Sequence, residues 1–190
     1  MGRWEPNARE RLGNAALELY AERGFEQTTV AEIAKRAGLT ERTFFRHYAD
    51  KREVLFSGAG ELEALIVGAV EGAPESAAPV DALAAGLDAV AEVFTDRREV
   101  SRRRQAVIAA NAELQERELI KLASLSAALT ETLRKRGVAA PTASLLAEAG
   151  VGVFKVGFQR WVAVGEERGL AELFRESLTE LRAALADGRP

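Results

Sequence analysis

Residues 28–55 read TTVAEIAKRAGLTERTFFRHYADKREVL, and the order of caps and stops in this stretch decides the fold. Thr29 suits a helix N-cap, because its hydroxyl oxygen can accept from an amide left open at the helix start. Glu32, three residues on, completes a capping-box pattern. Val30, Ile33, Ala34 and Ala37 recur at helical spacing and make one apolar stripe. Gly38 then stops the helix, being the residue best fitted to a left-handed C′ position. Leu39 fills the corner and Thr40 caps a second short helix over Glu41–Tyr48, with Phe44 and Tyr48 on its inward face. Asp50 caps a further helix that begins at Lys51. Two short helices joined by a tight turn form a helix-turn-helix, which sets one helix into the major groove of DNA.

The outward face of the second helix carries Glu41, Arg42, Thr43, Arg46 and His47. Long donors backed by aromatic residues suit contacts to base edges and phosphates. An ordinary solvated surface helix has the same charges; the paired helices and their spacing favour the groove.

The segment resembles the DNA-binding domain of the TetR/AcrR family of bacterial transcriptional regulators. The resemblance is carried by Gly24-Phe25, Thr29-Val30, Ile33-Ala34, Ala37-Gly38, Thr43, Tyr48, Asp50-Lys51 and Leu55, and covers roughly the first 55 residues. It implies that Thr29 touches a phosphate through its hydroxyl and the helix N-terminus. It implies that Arg42, Thr43 and Arg46 approach base edges, with Thr40 and Glu41 at the helix entrance, and that His47 and Lys51 hold phosphates. Phe45 departs from the pattern, since the family usually has a Tyr there whose hydroxyl binds a phosphate. Phe45 lacks that hydroxyl, and packing against sugar or neighbouring side chains is the role left to it. The rest of the chain resembles the family only in size and helical character.

The 190 residues suffice for one sizeable domain or two small ones. No run of eighteen apolar residues occurs, so no membrane span is expected. The opening MGRWEPNARERL lacks the apolar centre of a signal peptide. Without cysteine there is no disulfide framework, no thiolate chemistry and no cysteine-bound zinc. These features fit a bacterial cytoplasmic protein. His47 is the sole histidine and no glycine-rich phosphate loop is present. An all-helical enzyme is therefore the remote reading, and no cofactor or metal is expected. Residues 1–56 hold ten Lys and Arg against nine Asp and Glu, and residues 57–190 hold sixteen against twenty. Attraction to DNA must then come from local placement of Arg42, Arg46, His47, Lys51 and Arg52, with helix N-termini. This predicts weak non-specific binding, with a salt slope of about 0.9 per phosphate neutralised.

The periodicity predicts an all-α chain of about nine helices, with a DNA-binding domain over 1–56 and a ligand-binding and dimerisation domain over 57–190. The first helix runs over Asn7–Arg23, with Pro6 just before its first turn and Leu12, Ala15, Ala16, Leu19 and Tyr20 on its apolar face. A linking helix covers Lys51 to about Val70, and GAPESAAP, residues 72–79, is the clearest break. Helices then follow over Val80–Phe94, Arg97–Ala110, Asn111–Arg136, Pro141 to about Glu167, and from after Gly169 to near Ala186. No segment shows the alternation of a strand.

One recognition helix per chain requires two chains, because operator half-sites repeat after about 34–36 Å of duplex. The last two helices are the expected interface. Val153, Phe154 and Trp161 belong to a penultimate helix that is apolar on most sides; Leu173, Phe174, Leu178 and Leu181 come from the last. The alternative is that this helix is buried wholly inside its own chain.

In the family resembled, the central helices enclose a small-molecule pocket whose ligand changes the spacing of the recognition helices. Lining candidates are Leu62, Leu65 and Ile66, then Val90 and Phe94, then Val107, Ile108, Leu122 and Leu125, and finally Phe158 and Trp161. Such residues at helical spacing equally make a core. Arg97, Arg98, Arg102, Arg103 and Arg104 form a dense cluster, and Arg97 and Arg104, with Asn111, are polar candidates. Guanidinium groups grip phosphate or carboxylate bidentately, so an acyl-coenzyme A fits an apolar cavity with an arginine mouth. Arginines paired to nearby acids are the plainer alternative. The expected function is a homodimeric repressor of a palindromic double-stranded operator, released by a small, largely apolar effector such as an acyl chain, a lipid-like molecule or an aromatic compound. The runner-up is a regulator controlled by a protein partner, or one with no effector.

Overall fold

The structure, a computed structural model, describes residues 8–186. Among these residues it is all helical, with α1 Ala8–Arg23, α2 Val30–Arg36, α3 Glu41–His47, α4 Ala59–Gly72, α5 Pro79–Phe94, α6 Arg98–Ala109, α7 Ala112–Lys135, α8 Ala140–Trp161 and α9 Leu170–Ala186. Pro6 and Asn7, expected at the start of the first helix, lie outside the described residues. No helix among them is long and apolar enough to cross a membrane.

Three helix ends fall where glycine allows the left-handed backbone that L side chains avoid. Gly24, Gly38 and Gly137 have φ of 87°, 66° and 86°, each just past a helix. Two boundaries differ from the periodic pattern. The helix expected from Lys51 is instead a short 3-10 helix, Glu53–Phe56, separated from α4 by Ser57 and Gly58. The Asp50 carboxylate accepts from the amides of Arg52 and Glu53 at 2.8 and 3.0 Å, which satisfies that turn locally. The helix expected to reach Glu167 stops at Trp161, and Gly165 at φ 83° turns the connection to α9.

The chain forms two compact units. The first comprises the residues up to Ala59 together with Arg103–Glu118; the second comprises Gly60–Arg102 and the residues from Leu119 onward. The expected DNA-binding domain over 1–56 does not include the end of α6 and the start of α7, which pack with the N-terminal helices. The reason is apolar: Val107, Ile108 and Leu114 are buried in the same core as Leu12, Leu19, Ile33 and Phe44. The second unit has its own core, in which α8 and α9 interleave with α5 around Phe154, Phe158, Trp161 and Phe174.

Candidate nucleic-acid interface

In the first unit, α2 is started by the expected capping box. The Thr29 hydroxyl oxygen accepts from the Glu32 amide at 3.3 Å, and the Glu32 carboxylate accepts from the Thr29 amide and hydroxyl at 2.9 Å each. The backbone bond from Thr29, then the hydroxyl bond, hold the Glu32 carboxyl below its ordinary range. The hydroxyl expected on a phosphate is thus spent on the cap in the free protein. At the turn, Arg11 donates to the Ala37 carbonyl at 2.5 Å, and a Cβ on Gly38 would lie 2.9 Å from that guanidinium. Thr40 caps α3 by accepting from the Thr43 amide at 3.2 Å, and the two threonine hydroxyls share a bond of 3.0 Å.

Phe44 is fully buried and Tyr48 nearly so, and the Tyr48 hydroxyl donates to the Arg9 carbonyl at 2.9 Å. This anchors α3 by one side. Thr40, Glu41, Arg42, Phe45 and Arg46 are exposed, and Thr43 and His47 are half-buried. Arg42 and Arg46, four residues apart, share one outward stripe, and neither has a partner among the described residues. His47 Nε2 is shielded from solvent and has no hydrogen-bond partner among the described residues. An outward guanidinium stripe on a helix capped and anchored behind is what base-edge recognition needs.

Lys51, expected on a phosphate, is engaged within the chain in the free protein. Its ammonium donates to the carbonyls of Phe25, Glu26 and Thr28 at 2.9, 3.3 and 3.2 Å and lies 4.3 Å from the centroid of the Phe25 ring. Three donors are committed to three carbonyls, so Lys51 fixes the turn that leads into α2. Tyr20 donates to the Lys51 carbonyl at 2.6 Å, and burial, with the Asp50 charge, pushes its phenol far above its ordinary value, which keeps it a donor.

The added segment braces the same unit. Arg104 Nε donates to the Leu55 carbonyl at 2.6 Å, its guanidinium stands 5.1 Å from the centroid of the Phe56 ring, and Glu118 lies 3.6 Å away. Desolvation lowers the Arg104 pKa, which Glu118 partly offsets. Arg117 Nε donates to Glu53 at 2.6 Å. Of the proposed pocket residues, Arg104, Val107, Ile108 and Asn111 therefore serve this unit. Val107 and Asn111 also line an open cleft of about 480 Å³ with Tyr20, Phe25 and Arg103, which sequence reasoning missed because it joins residues some ninety positions apart.

The other pocket candidates meet in the core of the second unit. Ile66, Val90, Leu125, Phe158 and Trp161 are buried there, with Leu62, Leu65, Phe94 and Leu122 partly buried against them. Phe94, Phe158 and Trp161 lie ring to ring at 5.7–6.1 Å between centroids. The arginine cluster is divided. Arg98 donates to the carbonyls of Glu166 and Arg168 and covers the Trp161 ring, while Arg102 donates to the Val162 carbonyl at 3.1 Å. These two clamp the loop after α8, and Arg97 is exposed.

The residues expected at a dimer interface are correspondingly inward. Val153, Phe154, Trp161, Leu173, Phe174 and Leu178 are buried within the unit's own core, and Leu181 is partly buried against it. A Cβ on Gly157 would meet the Phe174 ring at 2.5 Å, so α8 and α9 approach closely there. The apolar residues that α8 leaves open are Leu145 at 72% exposure and Val156 at 47%, with Gly152 between them facing open space and Leu185 of α9 75% exposed.

Comparison with known proteins gives two family models. "Bacterial regulatory proteins, tetR family" matches residues 13–57, and "MftR C-terminal domain" matches residues 77–186. The HTH-type transcriptional regulator TcmR of Streptomyces glaucescens is 37% identical over 82 residues, 43% of this chain and 36% of that one. A protein of Mycobacterium tuberculosis described as a mycofactocin biosynthesis transcriptional regulator, MftR, is 31% identical over 116 residues, 60% of this chain and 58% of that one. The chain thus spans less than two thirds of either relative's length. Among solved structures, FadR of Thermus thermophilus, a TetR-family transcriptional repressor in complex with lauroyl-CoA, is 27% identical with a TM-score of 0.59, covering 96% of this chain and 95% of that one.

Proposed function

Because this chain belongs to the TetR family of bacterial transcriptional regulators, we propose that it is a repressor that binds a palindromic operator as a homodimer and is released by a small, largely apolar effector. The observation that carries the DNA reading is the Arg42–Arg46 stripe, outward and unpaired among the described residues, on a helix held from behind by Phe44 and Tyr48. A bidentate arginine–guanine contact discriminates by about 1–3 kcal/mol, so two such groups can select a half-site.

The second copy docks on the open apolar stripe of α8, Leu145, Gly152 and Val156, together with Leu185 of α9. The residues inside the α8–α9 seam support that face from beneath. For the effector, an acyl thioester is the class we favour: the likeness to the lauroyl-CoA complex supports it, and the second unit's core is aliphatic and aromatic. Its ring-to-ring packing also favours a second reading, a regulator of the same operator with no small effector.

Selection of bound duplexes from a random pool, followed by gel shift with acyl-coenzyme A of graded chain length, tests these readings. A palindromic consensus and loss of the shifted band with one chain length are expected. A non-palindromic consensus bound by a monomer removes the dimer. A palindromic complex indifferent to every acyl length favours the second reading.

A further inference from the structure

Phe45 is the residue of α3 that the functional reading leaves unused. It is 55% exposed, yet its ring is not loose: it stands edge-on to the buried Phe44 ring, 5.5 Å between centroids and 83° between planes. At 3.6 residues per turn it shares a flank with Glu41 and adjoins the stripe of Arg42 and Arg46. A large apolar ring is thus fixed in water, on the face turned toward DNA.

A phenyl ring can neither donate to a phosphate nor pair with a base edge. The major groove offers one apolar feature, the C5-methyl group of thymine; guanine and adenine present N7 with O6 or an amino group there, and cytosine an amino group. Covering those polar edges with a ring would strip them of water without return. Covering a methyl group removes apolar surface on both sides. Resting on the reading of α3 as the recognition helix, we propose that Phe45 is a specificity-determining residue that reads the methyl group of a thymine in each operator half-site.

The test uses the full-length protein and the selected operator. Each thymine of the half-site is replaced in turn, symmetrically, by deoxyuridine, which removes the methyl group and leaves base pairing intact. One position is expected to weaken wild-type binding by about three- to tenfold, the scale of one buried methyl group. Phe45→Ala should bind the thymine and uracil forms of that site equally, whereas Phe45→Tyr, which keeps the ring, should retain the difference. Arg46→Ala should bind more weakly yet keep the same methyl dependence. Thermal denaturation of each variant checks that it is folded; Phe45 is exposed enough for its truncation to leave the core intact. If no operator is selected at all, the recognition-helix reading falls and this inference with it. A selected operator whose thymine methyl groups are all dispensable, or whose methyl dependence survives in Phe45→Ala, overturns this inference alone.

Discussion

Helix α3 is apolar on one side and α8 on most, and the expected partners of both lie outside the chain. The structure separates them. On α3 the groups meant for DNA, Arg42, Phe45 and Arg46, stand in solvent, while Phe44 alone carries the core side. On α8 the groups meant for a second copy, Val153, Phe154 and Trp161, are already covered by the chain itself. Apolar periodicity says that a face must be covered and is silent about what covers it. Long polar donors on a capped helix say more, since burying them without partners is costly and exposure is their default.

The separation can be broken most forcefully at the two cores. Phe44→Ala and Trp161→Ala each remove a ring that is almost wholly buried, and each should cost about 3–5 kcal/mol. Hydrogen exchange read along the chain should place the Phe44→Ala loss in α1–α3 and residues 103–118. The Trp161→Ala loss should fall in α5, α8 and α9. Equal loosening of both regions by either substitution would mean that the two cores are one cooperative structure.

A finer contrast lies within α8. Gly157→Ala forces a Cβ to 2.5 Å from the Phe174 ring and should cost about 1–3 kcal/mol. Gly152 faces open space, so Gly152→Ala should add about 0.5–1 kcal/mol in an isolated protomer by removing backbone freedom. Val156→Arg should lower dimer affinity with little change in protomer stability, as read by sedimentation at graded concentration. A Val156→Arg protein that stays dimeric moves the interface away from this stripe.

What was legible in the sequence was local. Thr29 with Glu32, Gly38, and Thr40 each act within about four residues, and each behaves as its chemistry requires. Phe44 and Tyr48 were placed inward by their spacing alone. What was not legible depends on residues far apart in the chain. Nothing near Lys51 reveals the three carbonyls some twenty-five positions earlier that hold its ammonium; the phosphate contact expected of it is an implication of the family resemblance and not of the residues around it. The pattern around Arg104 is equally silent about the Leu55 carbonyl and the Phe56 ring that occupy its guanidinium, because both lie nearly fifty positions before it in the chain. Likewise the periodicity predicts an unbroken helix from Lys51, whereas the Asp50 bonds start only a short 3-10 helix before Ser57 and Gly58 interrupt it.

Lys51 offers the next test, because its two readings differ in salt dependence as well as stability. Lys51→Met removes a charged donor from three carbonyls and should lower stability of the free protein by about 1–3 kcal/mol. If the ammonium serves only the turn, the slope of operator affinity against salt stays as in the wild type. A slope reduced by about 0.9 would show that Lys51 leaves its carbonyls for a phosphate when DNA arrives.

The smallest effects are in pH, where Glu32 in the first unit and Glu166 in the second are half-buried carboxylates bonded to nearby backbone amides. Glu166, in the loop after α8, accepts from the Arg168 side chain and from the amides of Arg168 and Glu167, and the Arg168 bonds foremost bring its pKa to about 2. Glu32 is displaced in the same direction by Thr29. A carboxyl group whose folded pKa lies below its unfolded value adds stability that is complete above the unfolded value and disappears as pH falls through the folded one. Both groups therefore favour the fold at neutral pH and release it in acid, the Glu166 contribution fading between the ordinary glutamate range and about 2. Carboxyl chemical shifts followed by NMR should show Glu166 titrating near that lower limit. Glu166→Gln should make the amide protection factors of residues 162–169, which are corrected for the intrinsic pH dependence of exchange, constant across this interval while leaving those at the start of α2 as sensitive as before. Glu32→Gln should do the reverse, and a Glu166 that titrates at its ordinary value would mean that the Arg168 bonds do not hold this loop in solution.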